Sequence, residues 1–207
     1  MQMAPLFITL VMRNTIKRTL DISVALPMVV GVLPFLVVLT YIFQSIQSRG
    51  PIFYFQKRVG KDRRTFTILK FRSMHVNDSE AVQATQNDSR VYAFGHFLRK
   101  TSLDEFPQFL NVLFGHMSIS GPRPVLAEHD KQFSRVSTRY MSRYAVKPGI
   151  TGLAQAYGLR GEVRCPTDVR SRLAHDLVFV KRWSLRMELM ILVLTALQVI
   201  RPAKTAY

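Results

Sequence analysis

Cysteine is nearly absent from this chain of 207 residues. Its one cysteine, Cys165, cannot form an internal disulfide, which excludes a disulfide framework and fits a reducing compartment or one indifferent to redox state. A zinc site built from cysteines is excluded for the same reason. The histidines lack the tight spacing of a zinc motif; they are His75, His96, His116, His129 and His175.

Acidic residues are also scarce, because 13 Asp and Glu face 29 Lys and Arg and the formal net charge is +16. An excess of this size indicates an anionic partner: nucleic acid, anionic lipid or a phosphorylated substrate. The sequence has no motif of a standard nucleic-acid-binding module. We therefore expect no nucleic-acid partner and favour lipid and a phosphorylated substrate.

Charged residues are missing from Ile22–Gln47, which is longer than the roughly 20 residues that cross a bilayer core. The stretch lacks an Ala-x-Ala-like cleavage site, so we expect it to be retained. Cationic residues flank both ends, and such flanks prefer the cytoplasmic side of a membrane. Pro34, near the middle, removes a helical hydrogen bond. The stretch predicts either a re-entrant helix hairpin bent at Pro34 or a single kinked transmembrane helix, and the residues alone leave both open.

The remainder predicts a small globular part of the α+β class that is mainly helical. Ile52–Val59 and Thr65–Arg72 are rich in strand-forming residues and are separated by a short polar turn, which predicts a β-hairpin. Lys70 and Arg72 are two residues apart, so we expect both on one face of the second strand. We place the membrane segment at residues 1–47 and the globular part at residues 48–207.

Three helical stretches follow the predicted hairpin. Tyr92–Lys100 and Phe106–Phe114 predict short helices, and about residues 167–200 form a longer helical region. Leu185–Ile200 is strongly apolar but too short to span a bilayer comfortably. It predicts an amphipathic helix in the membrane interface, with a core helix as the equally open alternative.

Two adjacent carboxylates, Asp104 and Glu105, are the strongest candidates for chemistry. Ser102 with Glu105 three residues later fits a helix capping box, which would give the pair a structural role. Pro107 instead favours a helix that begins near Asp104, because proline is tolerated in the first helical turn. Either start puts the pair at a helix N-terminus, where anions are stabilised. There one carboxylate could act as nucleophile and the other could bind a metal or transfer protons.

Arg123 lies between Pro122 and Pro124 in a segment of restricted backbone. A guanidinium held in this way is suited to binding phosphate. The alternative is a surface arginine in a stiff loop. Together with Lys70, Arg72 and Arg99, Arg123 could neutralise the charge of a phosphorylated substrate.

The ordered blocks of this sequence resemble the bacterial sugar transferase family, the monotopic polyprenyl-phosphate phosphoglycosyl transferases. The resemblance runs nearly end to end. Its blocks are Lys17-Arg18-x-x-Asp21, Pro34, Gly50–Phe53, Gln56–Gly60, Lys70–Met74, Thr101–Glu105, Asn111–Leu113, Gly121–Pro124, Lys147–Gly152 and Trp183–Leu185.

The resemblance implies a donor, an acceptor and a mechanism. The donor would be a UDP-sugar, the acceptor undecaprenyl phosphate, and the products undecaprenyl diphosphate sugar and UMP. By position, Asp104 matches the nucleophile that forms a covalent phosphosugar intermediate, and Glu105 matches the carboxylate that helps to bind Mg²⁺. The expected substrate-binding residues are Lys70, Arg72, Arg99, Pro122, Arg123, Pro124 and Arg160.

The resemblance also implies a cellular setting. Family members enter and leave one leaflet at a proline, here Pro34, so it favours the re-entrant hairpin. It implies the bacterial inner membrane, with the catalytic part on the cytoplasmic face and anionic lipid as a partner. Gly158–Glu162, which contains Arg160, resembles members that transfer hexose 1-phosphates such as glucose or galactose in the first step of exopolysaccharide or capsule assembly. The oligomeric state stays open, with a homodimer among the alternatives.

Two positions depart from the family pattern. Leu33 replaces the serine that commonly precedes the hairpin proline, and His116 replaces an aspartate near the presumed site. These departures motivate an alternative function, a catalytically impaired membrane scaffold of a polysaccharide assembly complex.

Overall fold

The fold is described from a computed structural model of the chain. The structure describes residues 3–76, 88–161, 163 and 165–200, with side chains described from residue 12 to residue 198. Eight α-helices and four strands lie in these ranges: α1 Met3–Pro27, α2 Leu33–Gln47, β1 Phe53–Val59, β2 Thr65–Phe71, α3 Ala93–Lys100, α4 Gln108–Leu113, β3 Ser118–Ser120, α5 Ala127–Phe133, β4 Gly149–Thr151, α6 Leu153–Ala156, α7 Pro166–Arg182 and α8 Leu185–Ile200. The mainly helical α+β class is therefore confirmed.

The N-terminal apolar segment is helical throughout, with α1 and α2 joined by a π-helical turn over Met28–Val32. In this turn the Leu33 N–H donates to the Met28 carbonyl. Pro34, which has no N–H to donate, then falls in the first turn of α2, where proline is tolerated. Within the described residues, Met12–Gln47 is the one helical stretch long and apolar enough to cross a membrane, judged by length and composition.

One face of this long helix is buried against the rest of the chain along most of its length. Its buried side chains are Asp21, Ala25, Leu33, Leu36, Thr40 and Gln44. The opposite face exposes large apolar side chains, among them Leu26, Val30, Phe35, Val38, Ile42 and Ile46. An exposed apolar face of this kind is typical of a surface that contacts a membrane or another protein.

The predicted β-hairpin is confirmed. β1 and β2 pair antiparallel, from Phe53 opposite Phe71 to Val59 opposite Thr65. Between them Lys61–Arg63 forms a 3-10 turn, in which Asp62 adopts a left-handed backbone with φ of 53°. Asp is one of the few residues that tolerate this conformation.

A second, smaller sheet was not predicted. β3 and β4 pair parallel, with Ser118 opposite Gly149 and Ser120 opposite Thr151. The two backbones approach closely next to this pair, since a Cβ on Gly149 would lie 2.1 Å from the Gly121 nitrogen. Glycine is therefore required where the loop after β3 meets β4.

The C-terminal part is two helices, α7 and α8, and α8 is anchored by a buried charge. Glu188 accepts hydrogen bonds from Lys17 at 2.8 Å, Ser120 at 2.6 Å and the Trp183 indole at 2.7 Å. On the other side of α8, a stripe at four-residue spacing is about half exposed; it consists of Leu185, Leu189, Val193 and Leu197. α8 thus packs on the globular part through one face and leaves an apolar face open.

Candidate functional site

The Asp104–Glu105 pair lies in a short 3-10 turn, Leu103–Glu105, that precedes α4. The capping-box interpretation is wrong, because Ser102 has a left-handed backbone (φ 58°) and makes no side-chain cap. The expected α-helical start near Asp104 is also wrong, since α4 begins at Gln108 with Pro107 as its N-cap. Pro107 is placed where its missing N–H costs no helical hydrogen bond.

Asn111 fixes the Asp104–Glu105 pair, called the dyad below, relative to the β-hairpin. Its side-chain amide donates to the Thr67 carbonyl at 2.8 Å, and its carbonyl accepts from the Leu69 N–H at 3.0 Å. These bonds tie α4 to β2 one residue before Lys70. The turn that carries Asp104 and Glu105 is therefore held beside the end of β2.

The far end of α4 is held from the membrane segment. Arg18 of α1 donates to the carbonyls of Val112 at 2.6 Å and Leu113 at 2.7 Å. Carbonyls at a helix C-terminus lack intrahelical donors, so a guanidinium there is favourable. The apolar N-terminal helix and the dyad are thus connected through one short helix.

Glu105 is held by two cations. Lys70 donates to its carboxylate at 2.7 Å, and Arg123 donates to both carboxylate oxygens at 2.5 and 3.1 Å. Burial alone would raise the pKa of Glu105, but the charges of Arg123 and Lys70 outweigh it and hold the pKa well below its usual range. Glu105 is therefore ionised at all physiological pH values.

Asp104 has the opposite environment. Within the described residues no hydrogen bond or ion pair reaches its carboxylate, although Asp104 and Glu105 line one cavity. Burial raises the pKa of Asp104 to about 6, an effect that Lys70 opposes and the charge of Glu105 reinforces. Two neighbouring carboxylates with pKa values pushed in opposite directions are suited to different chemical roles.

The dyad opens into a cavity of about 720 Å³. Five basic side chains that line it interact electrostatically with Asp104 or Glu105, and we call them the cavity cations: Arg58, Lys70, Arg99, Arg123 and Arg160. Five cations facing two carboxylates leave a surplus of positive charge. Such a cavity favours an anion with more than one charge.

Of the predicted prolines, Pro124 lines the cavity together with Arg160, whereas Pro122 does not. Pro122 and Pro124 are buried on either side of the exposed Arg123, and the Pro122 carbonyl accepts from the Gly149 N–H at 3.0 Å. Arg160 donates from Nε to the Gln155 carbonyl at 3.4 Å, and burial lowers the pKa of its guanidinium. Glu162 lies outside the described residues.

Arg72 lies just beyond the end of β2. β2 ends at Phe71, so strand alternation no longer directs Arg72, and its buried guanidinium points to the segment after α2. There it donates to Ser48 Oγ and to the carbonyls of Ser48, Pro51 and Met74, at 2.6 to 2.9 Å. These bonds fill its donors and give Arg72 a structural role, although it also lines the cavity that Asp104 and Glu105 line. Its role as a substrate contact stays a prediction.

Arg143, which was not predicted from the sequence, holds the backbone of Arg123 in place. It pairs with Asp176 at 2.8 Å and donates to the Arg123 carbonyl at 2.8 Å. Both partners of this ion pair are buried. We refer to Arg72 and Arg143 as the anchoring arginines. No local pattern marks Arg143, because Asp176 is 33 residues away in sequence.

His116 is not among the residues that line the cavity. Its ring lies 6.1 Å from that of Phe66 and 6.4 Å from that of Phe114. The histidine at this position is therefore no part of the cavity wall.

The dyad fits a metal that is held jointly with a substrate. Among the described residues, no group of three or more His, Cys, Asp and Glu side chains could hold a metal ion. Mg²⁺, however, commonly binds through one or two carboxylates together with substrate phosphates and water. Asp104 and Glu105 provide that number of carboxylates, and Arg123 would have to move from Glu105 to admit the ion.

Comparison with known proteins gives consistent matches. A family model described as "Bacterial sugar transferase" matches residues 12–202. A UDP-glucose:undecaprenyl-phosphate glucose-1-phosphate transferase of Xanthomonas campestris pv. campestris is 48% identical over 166 residues, which is 79% of this chain and 34% of the relative. A protein of the same name from Klebsiella pneumoniae is 45% identical over 181 residues, 86% of this chain and 39% of the relative.

A further relative carries a different sugar in its name. The UDP-N-acetylgalactosamine-undecaprenyl-phosphate N-acetylgalactosaminephosphotransferase of Aeromonas hydrophila is 40% identical over 178 residues, 85% of this chain and 41% of the relative. The chain thus spans about a third to two fifths of the length of these three relatives. Their names agree with the transferase class that the sequence predicts.

Proposed function

Because this chain belongs to the bacterial sugar transferase family, we propose that it transfers a sugar 1-phosphate from a UDP-sugar to undecaprenyl phosphate. The products are undecaprenyl diphosphate sugar and UMP. The names of the relatives support this donor and acceptor. The proposal places the chain at the first step of exopolysaccharide or related glycan assembly.

The observation that carries the proposal is the difference between the two carboxylates of the dyad. Glu105 is neutralised by Lys70 and Arg123, whereas Asp104 faces the cavity without a hydrogen bond from the described residues. A nucleophile must keep a lone pair available, so Asp104 has the environment that covalent catalysis requires. The surplus cations around it suit a diphosphate.

The first step forms a covalent intermediate. An ionised oxygen of Asp104 attacks the β-phosphorus of the UDP-sugar, and the bond from that phosphorus to the bridging oxygen breaks. UMP leaves with the bond's electron pair, and the sugar phosphate remains on Asp104 as an acyl phosphate. The cavity cations stabilise the charge that moves onto the leaving phosphate.

The second step regenerates the carboxylate. A phosphate oxygen of undecaprenyl phosphate attacks the same phosphorus, and the bond between phosphorus and Asp104 breaks. Glu105 would hold Mg²⁺, which supplies charge neutralisation for the phosphate oxygens when bound. Lys70 keeps a positive charge beside the pair in both steps.

Residues 1–47 act in this proposal as a re-entrant membrane segment bent near Pro34. Contacts at both ends of the long helix support this. Near one end, Lys17 pairs with Glu188 of α8. Near the other end, Gln44 donates to the Pro51 carbonyl and Gln47 accepts from the Phe94 N–H. With both ends on one globular body, the open apolar face can enter a single leaflet. The cationic flanks then favour the cytoplasmic face of the inner membrane and anionic lipid.

The sugar is proposed to be a hexose of the glucose or galactose type. Two of the relatives above are named for glucose 1-phosphate, which supports glucose. The relative named for N-acetylgalactosamine makes the acetylated sugars the competing outcome. The scaffold alternative is not favoured, because His116 lies away from the cavity.

The test measures UMP release from a panel of UDP-sugars by membranes that contain the protein, with undecaprenyl phosphate and Mg²⁺. Asp104→Asn should lower turnover by at least about 1,000-fold because the nucleophile is lost. It should leave the thermal midpoint unchanged, since the site already disfavours the charged carboxylate.

A second measurement targets the intermediate. With the β-phosphate of the donor labelled and no acceptor present, the wild type should retain label that undecaprenyl phosphate then removes. Undiminished turnover or labelling in the Asp104→Asn protein would exclude Asp104 as the nucleophile.

A further inference from the structure

Arg58 belongs to the Gln56–Gly60 sequence block and is one of the five cavity cations, but neither the family resemblance nor the mechanism above assigns it a contact of its own. It lies in β1, where successive side chains point to opposite faces. Gln56 and Arg58 line the cavity, whereas Lys57 between them is exposed and does not. The strand therefore directs one of its two neighbouring cations into the site and the other into solvent.

The backbone beside Arg58 is joined to the Arg123 loop. The Val59 N–H donates to the Val125 carbonyl at 2.9 Å, and Arg58 Nη1 donates to the Pro124 carbonyl at 3.4 Å. Arg58 Nη2 donates to the Gln56 side-chain carbonyl. These contacts place the Arg58 guanidinium next to the loop that carries Arg123.

The Arg58 guanidinium is incompletely satisfied. Its Nε is buried and has no hydrogen-bond partner among the described residues. No described carboxylate forms an ion pair with it, in contrast to Arg143, which pairs with Asp176. Burial lowers the pKa of Arg58 to about 10, and the charge of Arg123 lowers it further.

A buried cation without a counter-ion is costly, and such groups are usually paired or bind a ligand. The nearby negative charge is Glu105, which already accepts from Lys70 and Arg123. A planar guanidinium with a free donor is well suited to phosphate oxygens. A diphosphate entering beside Arg123 would supply the missing negative charge to the part of the guanidinium that lines the cavity.

We propose that Arg58 is a substrate-binding residue whose guanidinium contacts the diphosphate of the nucleotide sugar. This inference rests on the proposed function, because it takes the donor to be a nucleoside diphosphate sugar. Arg58, in β1, and Arg123, in the loop after β3, then bind the diphosphate from two segments that the Val59–Val125 hydrogen bond holds together. Gln56 orients Arg58 from the same strand.

The test measures binding of UDP to the purified full chain in lipid nanodiscs by calorimetry. Arg58→Gln should weaken UDP binding by about tenfold or more, because a charge-assisted hydrogen bond to phosphate is lost. Lys57→Gln is the matched control: it removes the same charge from the neighbouring position of the same strand, and it should change UDP binding by less than about twofold.

Turnover kinetics separate binding from a structural effect. Arg58→Gln should raise the KM for the UDP-sugar and leave the KM for undecaprenyl phosphate within about twofold. Arg58→Lys keeps the cation but loses the planar fork, so it should weaken UDP binding by an intermediate factor. This variant decides the case if Arg58→Gln does not fold.

Each outcome has a distinct meaning. A wild type that binds no UDP would contradict the proposed function itself. A wild type that binds UDP while folded Arg58 variants bind it equally well would overturn only the role of Arg58. Equal losses in the Arg58→Gln and Lys57→Gln proteins would also overturn it, because the effect would then be long-range charge.

Discussion

Two sets of basic side chains line the cavity, and they differ in how many of their hydrogen-bond donors the protein itself fills. The anchoring arginines are satisfied by the protein: Arg143 pairs with Asp176, and Arg72 donates to a hydroxyl and three carbonyls. The cavity cations share two carboxylates among five side chains. The anchoring arginines therefore have a structural role, and we expect the cavity cations, which outnumber the carboxylates that they face, to have a role in binding.

The comparison matters because composition cannot separate these groups. A net charge of +16 states that anions are attracted but not by which residues. Burial does not separate them either, since Arg58 and Arg72 both have pKa values lowered mainly by burial. Arg72 has its donors filled by the protein, whereas Arg58 has an unpartnered Nε. Substitutions of the anchoring arginines should therefore lower stability, and substitutions of the cavity cations should change binding or activity.

The largest expected effect is on stability, from Arg143→Gln. Removing one partner of a buried ion pair leaves Asp176 charged and uncompensated, which costs about 3–5 kcal/mol. The thermal midpoint should fall markedly, and activity should fall with it because the Arg123 carbonyl loses its donor. Arg139→Gln, an exposed arginine in the preceding turn, is the control and should change stability by less than about 0.5 kcal/mol. Equal midpoints for the two variants would contradict the division into two sets.

The second-largest effect concerns how activity varies with pH. Activity should rise with pH as Asp104 ionises near pH 6. Lys70 favours the ionised form, so Lys70→Met should raise the pKa of Asp104 and move the acidic limb of the kcat profile to higher pH. Glu105 opposes ionisation, so Glu105→Gln should move the limb to lower pH. The limb reports an apparent value of the pair, and its direction of movement is the measured quantity. If the acidic limb moved in the same direction in both variants, the assignment of opposite charge effects on Asp104 to Lys70 and Glu105 would be contradicted.

Much of the fold was predictable because its signals are local. The β-hairpin follows from two alternating strands around a polar turn, and the structure reproduces it to within one residue at all four of its ends. Helices α3 and α4 were also expected close to their observed positions. These elements depend on patterns within about ten residues, which a sequence displays directly.

The finer geometry of the site was not predictable, because distant residues determine it. The left-handed backbone of Ser102 removes the capping box, and no local rule requires that conformation at a serine. Asn111 bonds to backbone groups 42 and 44 residues earlier, and Arg143 to a carboxylate 33 residues later. The backbone partners of Arg72 could not be predicted from strand alternation, because β2 ends one residue before it. A candidate residue type can be identified from sequence, whereas its filled or open donors require the fold.

The smallest expected effect concerns a divalent cation at Glu105 and tests whether a cavity cation competes with it. Arg123 donates to both oxygens of Glu105, so a metal must displace it before both oxygens are available. Arg123→Gln removes one competitor, and Mn²⁺ as the probe should bind a few-fold more tightly to this variant than to wild type when no nucleotide is present. Electron paramagnetic resonance of free Mn²⁺ measures this binding directly, without turnover. Arg160→Gln is the control, because Arg160 lines the same cavity but is not hydrogen-bonded to Glu105 within the described residues. Weaker Mn²⁺ binding to Arg123→Gln than to wild type would mean that Arg123 supports the metal site rather than occupying it, and Glu105 would then belong with the groups whose partners are structural.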